Sequence, residues 1–273
     1  MTTWLITGCS TGFGRSLAKA ALRRGHRVAV TARDVERVKD LQDLYPTTAL
    51  ALALDVTDDA SVQAAVGRVH DHFGTIDVLV NNAGYAYTGA VEEGEQEPVE
   101  AMFDTNFFGV LRMVQAVLPR MREQRSGRIV NVSSIGTRIT IPGGGFYSAT
   151  KAAVEALSGS LRKEISELGI DVVVVAPGVM ETDFNSRSAK HSQRQIHDYD
   201  TVLHRDSDSP RPRHASDPDD AAAVFVDVVS SPDAPALLLL GADAYGGFID
   251  ATTAEQEDVR QNEAKTRSVA PRS

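Results

Sequence analysis

The 273-residue chain has one cysteine, one tryptophan, no apolar run long enough to cross a bilayer and little positive charge. A lone thiol closes no intramolecular disulfide and offers no thiolate set for zinc, so Cys9 is read as a small residue tolerated in a tight loop. The seven histidines show no metal-ligand spacing, and no metal is expected. Lys and Arg number 28 against 37 Asp and Glu, a net charge of −9. With no basic run to offset that balance, a nucleic-acid partner is argued against, because its phosphates would be repelled. The apolar stretch Trp4-Leu5-Ile6 meets Gly8 almost at once, too soon for a signal peptide or a membrane span. The expectation is a cytoplasmic protein that makes no membrane contact.

What is present is enough apolar residue, 42% of the chain, to bury a full core. Short β-branched runs alternate with stretches of helical periodicity, the pattern of βαβ units around a parallel sheet. The strands are expected at Thr3 to Thr7, Arg27 to Thr31, Ala49 to Leu54, Val78 to Val80, Arg128 to Ser133, Asp171 to Val175 and Ala236 to Leu240. Helices are expected at Gly12 to Arg24, Val35 to Leu44, Ala60 to Phe73, Val99 to Arg122 and Ala149 to Leu168, with Pro119 bending or ending the fourth. Between 185 and 220 the composition turns to Ser, Arg, His, Asp and Pro, and a long mobile loop is expected, broken by Pro210, Pro212 and Pro218. Residues 1–254 then form one α/β domain with a doubly wound, seven-stranded parallel sheet, and 255–273 a polar tail that is a frayed helix or a free end.

The most telling constellation is Tyr147-Ser148-Ala149-Thr150-Lys151 with Ser134 upstream. Positions i and i+4 of a helix share a face, so the ammonium can sit beside the phenol and favour its ionised form. Alone, such a pair can equally be a half-buried tyrosine with a snorkelling lysine. The rest of the chain gives it meaning.

Thr7-Gly8-Cys9-Ser10-Thr11-Gly12-Phe13-Gly14 follows the first strand and opens the first helix, where glycines let the backbone approach a pyrophosphate at a helix N-terminus. A phosphate-loop nucleotidase is excluded, since Phe13 stands where glycine is required and Arg15 replaces the lysine. The chain resembles the short-chain dehydrogenase/reductase family in its TGxxxGxG and YxxxK form. Asn81-Asn82-Ala83-Gly84 resembles the family's NNAG motif. Asn106, Ser134, Tyr147 and Lys151 match its catalytic tetrad, and Pro177-Gly178-Val179-Met180-Glu181-Thr182 matches its nicotinamide-side PGxxxT segment. Within the family, the Thr-Gly-Cys-Ser glycine loop and Val-Thr-Ala-Arg after it are similar to the hydroxysteroid-dehydrogenase-like branch.

The resemblance implies a Rossmann fold and a set of cofactor contacts at Gly8, Ser10, Gly12, Phe13, Gly14, Asn82, Ala83, Gly84, Tyr147, Lys151, Pro177, Gly178, Val179 and Thr182. Asp55-Val56 resembles the pair that contacts adenine, although Asp55 simply ending a strand is an equal reading. At the end of the second strand, Ala32 stands where an acid would bind a ribose 2′-hydroxyl, and Arg33 suits a 2′-phosphate. NADP is therefore expected over NAD, with Asp34 capping the next helix. Arg33 as an ordinary exposed arginine is the bland alternative.

By resemblance, Tyr147 exchanges the proton, Ser134 orients the substrate oxygen, Lys151 lowers the tyrosine pKa and holds the nicotinamide ribose, and Asn106 anchors a relaying water. Ser133 competes for the serine role, but adjacent residues at a strand end point to opposite sides. The reaction implied is ketone–alcohol interconversion. Gly143-Gly144-Gly145 leaves space at the mouth, and Tyr85, Tyr87, Phe146 and Phe184 either wall a pocket for a large apolar or aromatic substrate or belong to the core. Family members pair through the helices at Val99 to Arg122 and Ala149 to Leu168, so a homodimer or homotetramer is expected. A non-catalytic NADP(H) sensor on the same fold is the alternative.

Overall fold

Alternation along each strand divides the apolar side chains between two cores. In β1 (Thr3–Ile6), Trp4 and Ile6 enter one cluster and Leu5 the other; in β7 (Ile170–Pro177), Val173 and Val175 join the first and Val172 the second. Such strands, covered on both faces, carry consecutive apolar residues because neither side meets water. This computed structural model describes residues 1–182, 184, 189–203 and 215–269.

The seven-stranded sheet has the order β3-β2-β1-β4-β6-β7-β9, parallel throughout, with β2 Arg27–Ala32, β3 Ala49–Ala53, β4 Val78–Asn81, β6 Gly127–Val132 and β9 Leu237–Leu240. Helices α1 (Gly12–Arg23) and α8 (Pro218–Ser230) cover the first face, where Phe13 and Phe225 meet edge to face at 5.9 Å. Helices α3 (Asp59–Phe73), α5 (Gly109–Gln124) and α6 (Gly145–Glu164) cover the second. The strand order reverses between β1 and β4, which opens a crevice at their carboxyl ends, the place where doubly wound sheets bind ligands.

All seven main strands lie where expected, with ends shifted by a residue or two. The helices differ more. The expected Val99 to Arg122 helix is α4 (Gln96–Phe103), a π-helical turn at Asp104–Phe108, and α5. Pro119 does not end it, and α5 runs on to Gln124. Val35 to Leu44 is a 3₁₀ turn at Val35–Arg37 followed by α2 (Lys39–Leu44), and α6 begins four residues earlier than expected.

The 185–220 stretch is also corrected in part. It holds β8 (Ala189–His191), which pairs in parallel with β5 (Ala86–Thr88), and the short helix α7 (Asp200–Leu203). Pro218 starts α8 rather than breaking structure, since it sits at the first turn where no N–H is needed and Asp217 caps the helix by accepting from the Asp219 N–H at 2.7 Å. The expected mobility at 185–188 and 204–214, with Pro210 and Pro212, lies outside the described residues. The polar tail is helical over its described part, in α9 (Ala242–Gln261) and α10 (Glu263–Arg267). No helix among the described residues is long and apolar enough to cross a membrane.

Candidate active site

The glycine loop is stitched to the end of β4 by Thr7. Its Oγ1 accepts from the backbone N–H groups of Asn82 (3.0 Å) and Ala83 (2.9 Å), while Asn82 Nδ2 donates to the carbonyls of Thr7 (2.9 Å) and Gly8 (3.2 Å). Gly8 has φ +73°, and a Cβ there would come within 2.9 Å of Ala83 Cα. A side chain on Gly14 would overlap the Asn82 amide and the Gly8 carbonyl, so both glycines are required by close approach. Gly12, at φ +55°, faces Thr182, which brings the glycine loop against the Pro177 to Thr182 segment. Ser10 is partly buried beside them.

Helix α1 opens without a side-chain cap at Thr11 and without an acid in its first turn. Its free N–H groups and the positive end of its dipole leave a cradle suited to a pyrophosphate. The donor set and the glycine cradle therefore fit a dinucleotide. The Phe13 ring is turned into the core against Phe225, which leaves its backbone to face that cradle. Cys9 is fully buried, and burial pushes its thiol up to about 12.

The Val179 N–H donates to Asp243 Oδ2 at 2.7 Å and its carbonyl accepts from Ser216, so its backbone is used within the protein. Val56 is buried against Gly109 of α5. Asp55 folds back to accept from the Thr57 N–H (3.0 Å) and hydroxyl (2.7 Å). Burial would raise its pKa, but those bonds and the nearby Arg33 and Arg112 hold it below the usual carboxylate range. Pro177 pairs with Leu240 at the end of β7, and the Gly178 N–H donates to the Leu240 carbonyl at 2.8 Å. Gly178 lies so close to the Asp243 carboxylate that no side chain fits.

Arg33 stands exposed at the carboxyl end of the second strand, with Ala32 buried behind it. Asp34 turns its carboxylate to the Glu36 N–H at 3.1 Å, the capping role expected of it.

Helix α6 carries Tyr147 and Lys151 on one face. Lys151 is 4% exposed, its Nζ donates to the Val132 carbonyl at 2.7 Å and lies 5.8 Å from the Tyr147 ring centroid. Burial lowers the lysine to about 8. Burial pushes Tyr147 up to about 12, with the Ser134 hydroxyl pulling the other way. Ser133 and Ser134 diverge as strand geometry requires. Ser134 faces the tyrosine, while the Ser133 hydroxyl donates to Glu155 at 2.7 Å.

Asn106, fully buried in the π-helical turn, accepts from the Tyr85 N–H (3.1 Å) and donates to the Tyr85 carbonyl (2.9 Å) and the Thr150 hydroxyl (3.1 Å). Thr150 donates in turn to the Tyr147 carbonyl at 2.7 Å. A Cβ on Gly84 would sit 3.0 Å from Asn106 Oδ1 and 3.6 Å from Lys151 Nζ, so this glycine keeps the path between them open.

The aromatic wall is only partly formed. Phe184 packs on the Tyr147 ring at 5.6 Å, and Tyr85 is half-buried beneath Lys190. Tyr87 and Phe146 are instead packing residues: Tyr87 is 1% exposed with its hydroxyl on Glu95, and Phe146 packs on Tyr87 and fills the space above Gly94. Gly143 and Gly144 are closely approached by Leu203 and Ile141, while Gly145 is exposed with only ordinary contact to Val91. Two residues with evident structural roles, Glu155 and Asp243, carry no motif in the sequence and are visible only through their contacts.

Known proteins share this architecture. Residues 2–193 match the family model described as short chain dehydrogenase. The oxidoreductase BOA17 of Botryotinia fuckeliana is 38% identical over 89% of this chain and 91% of its own length. The crystal structure of a short-chain dehydrogenase from Streptomyces avermitilis superposes with a TM-score of 0.90 at 36% identity, covering 99% of this chain and 100% of that one. An alcohol dehydrogenase from Thermococcus sibiricus, solved in complex with 5-hydroxy-NADP, is 27% identical with a TM-score of 0.73, over 88% of this chain and 95% of its own. The chain belongs to the short-chain dehydrogenase family and is an NAD(P)-dependent oxidoreductase.

Proposed function

We propose that this protein is an NADP(H)-dependent reductase of ketones, and dehydrogenase of the corresponding secondary alcohols, with Tyr147 as its acid-base group. The observation that carries the proposal is the convergence of Ser134, Tyr147 and Lys151, with Gly84 near Lys151 Nζ and Ala83 against Gly8 linking them to the glycine loop that opens α1. Bound in the crevice, a reduced nicotinamide supplies the hydride. The Tyr147 phenol gives its proton to the substrate oxygen, and the Ser134 hydroxyl donates a second hydrogen bond there, stabilising charge as it develops. Lys151 stabilises the phenolate left behind, and the gap at Gly84 suits a water that returns a proton from the Asn106 side.

NADP preference is supported by exposed Arg33, by Asp34 being spent as a cap, and by the relative solved with an NADP derivative. Phe184 against Tyr147 and the exposed apolar Val91, Ile141 and Val202 favour a fairly large apolar or aromatic substrate, in keeping with the hydroxysteroid-dehydrogenase-like motifs. A homodimer or homotetramer is proposed through α5 and α6.

The test is absorbance at 340 nm with NADPH and NADH in parallel against aromatic, polycyclic and small aliphatic ketones. NADPH oxidation with a bulky ketone, lost in Tyr147→Phe while NADPH fluorescence still reports binding, is expected. Binding with no turnover of any ketone would move the assignment to a cofactor sensor.

A further inference from the structure

The carboxylate of Glu155 lies one helical turn beyond Lys151 on α6, its side chain only 14% exposed, and among the described residues its hydrogen bonds and ion pair go to the segment around Ser134. Oε1 accepts from the Ser133 hydroxyl at 2.7 Å and lies 2.8 Å from the Thr137 hydroxyl; Oε2 pairs with Arg138 at 2.9 Å. Thr137 Oγ1 is also 3.0 Å from the Ser134 carbonyl, so its single hydrogen is shared between that carbonyl and Glu155. Within the turn, Ser134 Oγ accepts from the Gly136 N–H at 3.1 Å. Beyond it, Arg138 stacks over Phe248 of α9 at 5.8 Å. One carboxylate thus ties three residues of the 133–138 segment to the helix that bears Tyr147 and Lys151.

We propose that Glu155 is a positioning residue that fixes Ser134 against Tyr147, so that proton donor and orienting hydroxyl are held at one spacing. The 3₁₀ turn at Ile135–Thr137 is closed by backbone bonds from Thr137, Arg138 and Ile139 to Ser134 and Ile135, but those bonds are internal to the turn and do not set its position against α6; the Glu155 carboxylate makes that tie. The reacting groups of a carbonyl reduction tolerate little displacement, and about 1 Å can cost on the order of 100-fold in rate. This rests on the reading of Ser134 and Tyr147 given above.

Glu155→Gln is the informative change. An amide can keep one oxygen toward the two hydroxyls only by turning its NH₂ on Arg138, donor against donor, so one side of the clamp must open. With NADPH and the best ketone of the panel, kcat should fall roughly 10-fold or more while NADPH affinity and ketone KM stay within about threefold. In a Ser134→Ala background, the same change should cost less than about twofold further, since residues acting through one group are not additive. Amide hydrogen exchange should speed up in 133–141 and not along the glycine loop. Thr137→Val, a smaller lesion that spares the carboxylate, should show the same pattern at lower amplitude. Losses that multiply with Ser134→Ala, or unchanged kcat with unchanged exchange, overturn the role of Glu155 alone. A Ser134→Ala enzyme as fast as wild type overturns the role of Ser134 itself, and with it this inference.

Discussion

At the residue scale the two titrating groups of the site are displaced toward each other's territory. Lys151 is lowered to about 8 and Tyr147 raised to about 12, both chiefly by burial. The first proton to leave the free pair therefore comes from the lysine, and the pair titrates as a unit. Below that first ionisation the phenol is protonated and the ammonium charged, the state ketone reduction needs. As pH rises through about 8 the charge that stabilises the departing phenolate is lost. The profile of kcat/KM for reduction, which reports the free enzyme, should be flat on the acid side and decline through this range, far below the tyrosine's own value. A profile level to the limit of protein stability would refute this ordering of the two groups.

At the element scale, legibility in the sequence followed periodicity. The main strands and the glycine loop were readable because consecutive β-branched residues and a strand–glycine–helix order have few other meanings. Helix α8 is hard to read because Pro218 in a run of prolines looks like a breaker, whereas in the structure it opens the helix behind the Asp217 cap. The β5–β8 ribbon is three residues on each strand and has no pattern of its own. The π-helical turn at 104–108 was hidden inside a continuous helical stretch, yet it is what turns Asn106 inward. The burial that raises the Tyr147 pKa cannot be read from the four-residue spacing to Lys151. Since Asn106 satisfies both backbone groups of Tyr85 and also donates to the Thr150 hydroxyl, Asn106→Ala should leave the two part-buried Tyr85 groups without this partner and take one of two bonds from Thr150, which keeps the Tyr147 carbonyl. The cost is on the order of 2–4 kcal/mol. Calorimetry should show Tm lower by roughly 5–12 °C. A shift under about 2 °C would mean that water replaces the amide at little cost.

At the scale of the whole molecule, the apolar surface is not evenly spread. Between α5 and the turn after α6 lies a hollow of about 330 Å³ lined by Gln115, Leu118, Pro119, Arg122, Ile165 and Leu168. Pro119, inside α5, leaves the carbonyl one turn back on this helix without its usual donor. An apolar recess on α5 and the turn after α6, at the opposite end of α6 from Tyr147 and Lys151, suits the proposed association, with a second copy's α5 and α6 meeting the first by twofold symmetry. Since α6 also carries Tyr147 and Lys151 in its first turns, the proposed association would stiffen the helix that holds them. Leu118→Glu places a charge in the recess twice over in a twofold pair. Sedimentation velocity should show the wild-type chain as a dimer or tetramer and the variant shifted to monomer, with a lower Tm at equal protein concentration. A wild-type chain that sediments as a 29.3 kDa monomer at all concentrations would remove association from the account of this protein.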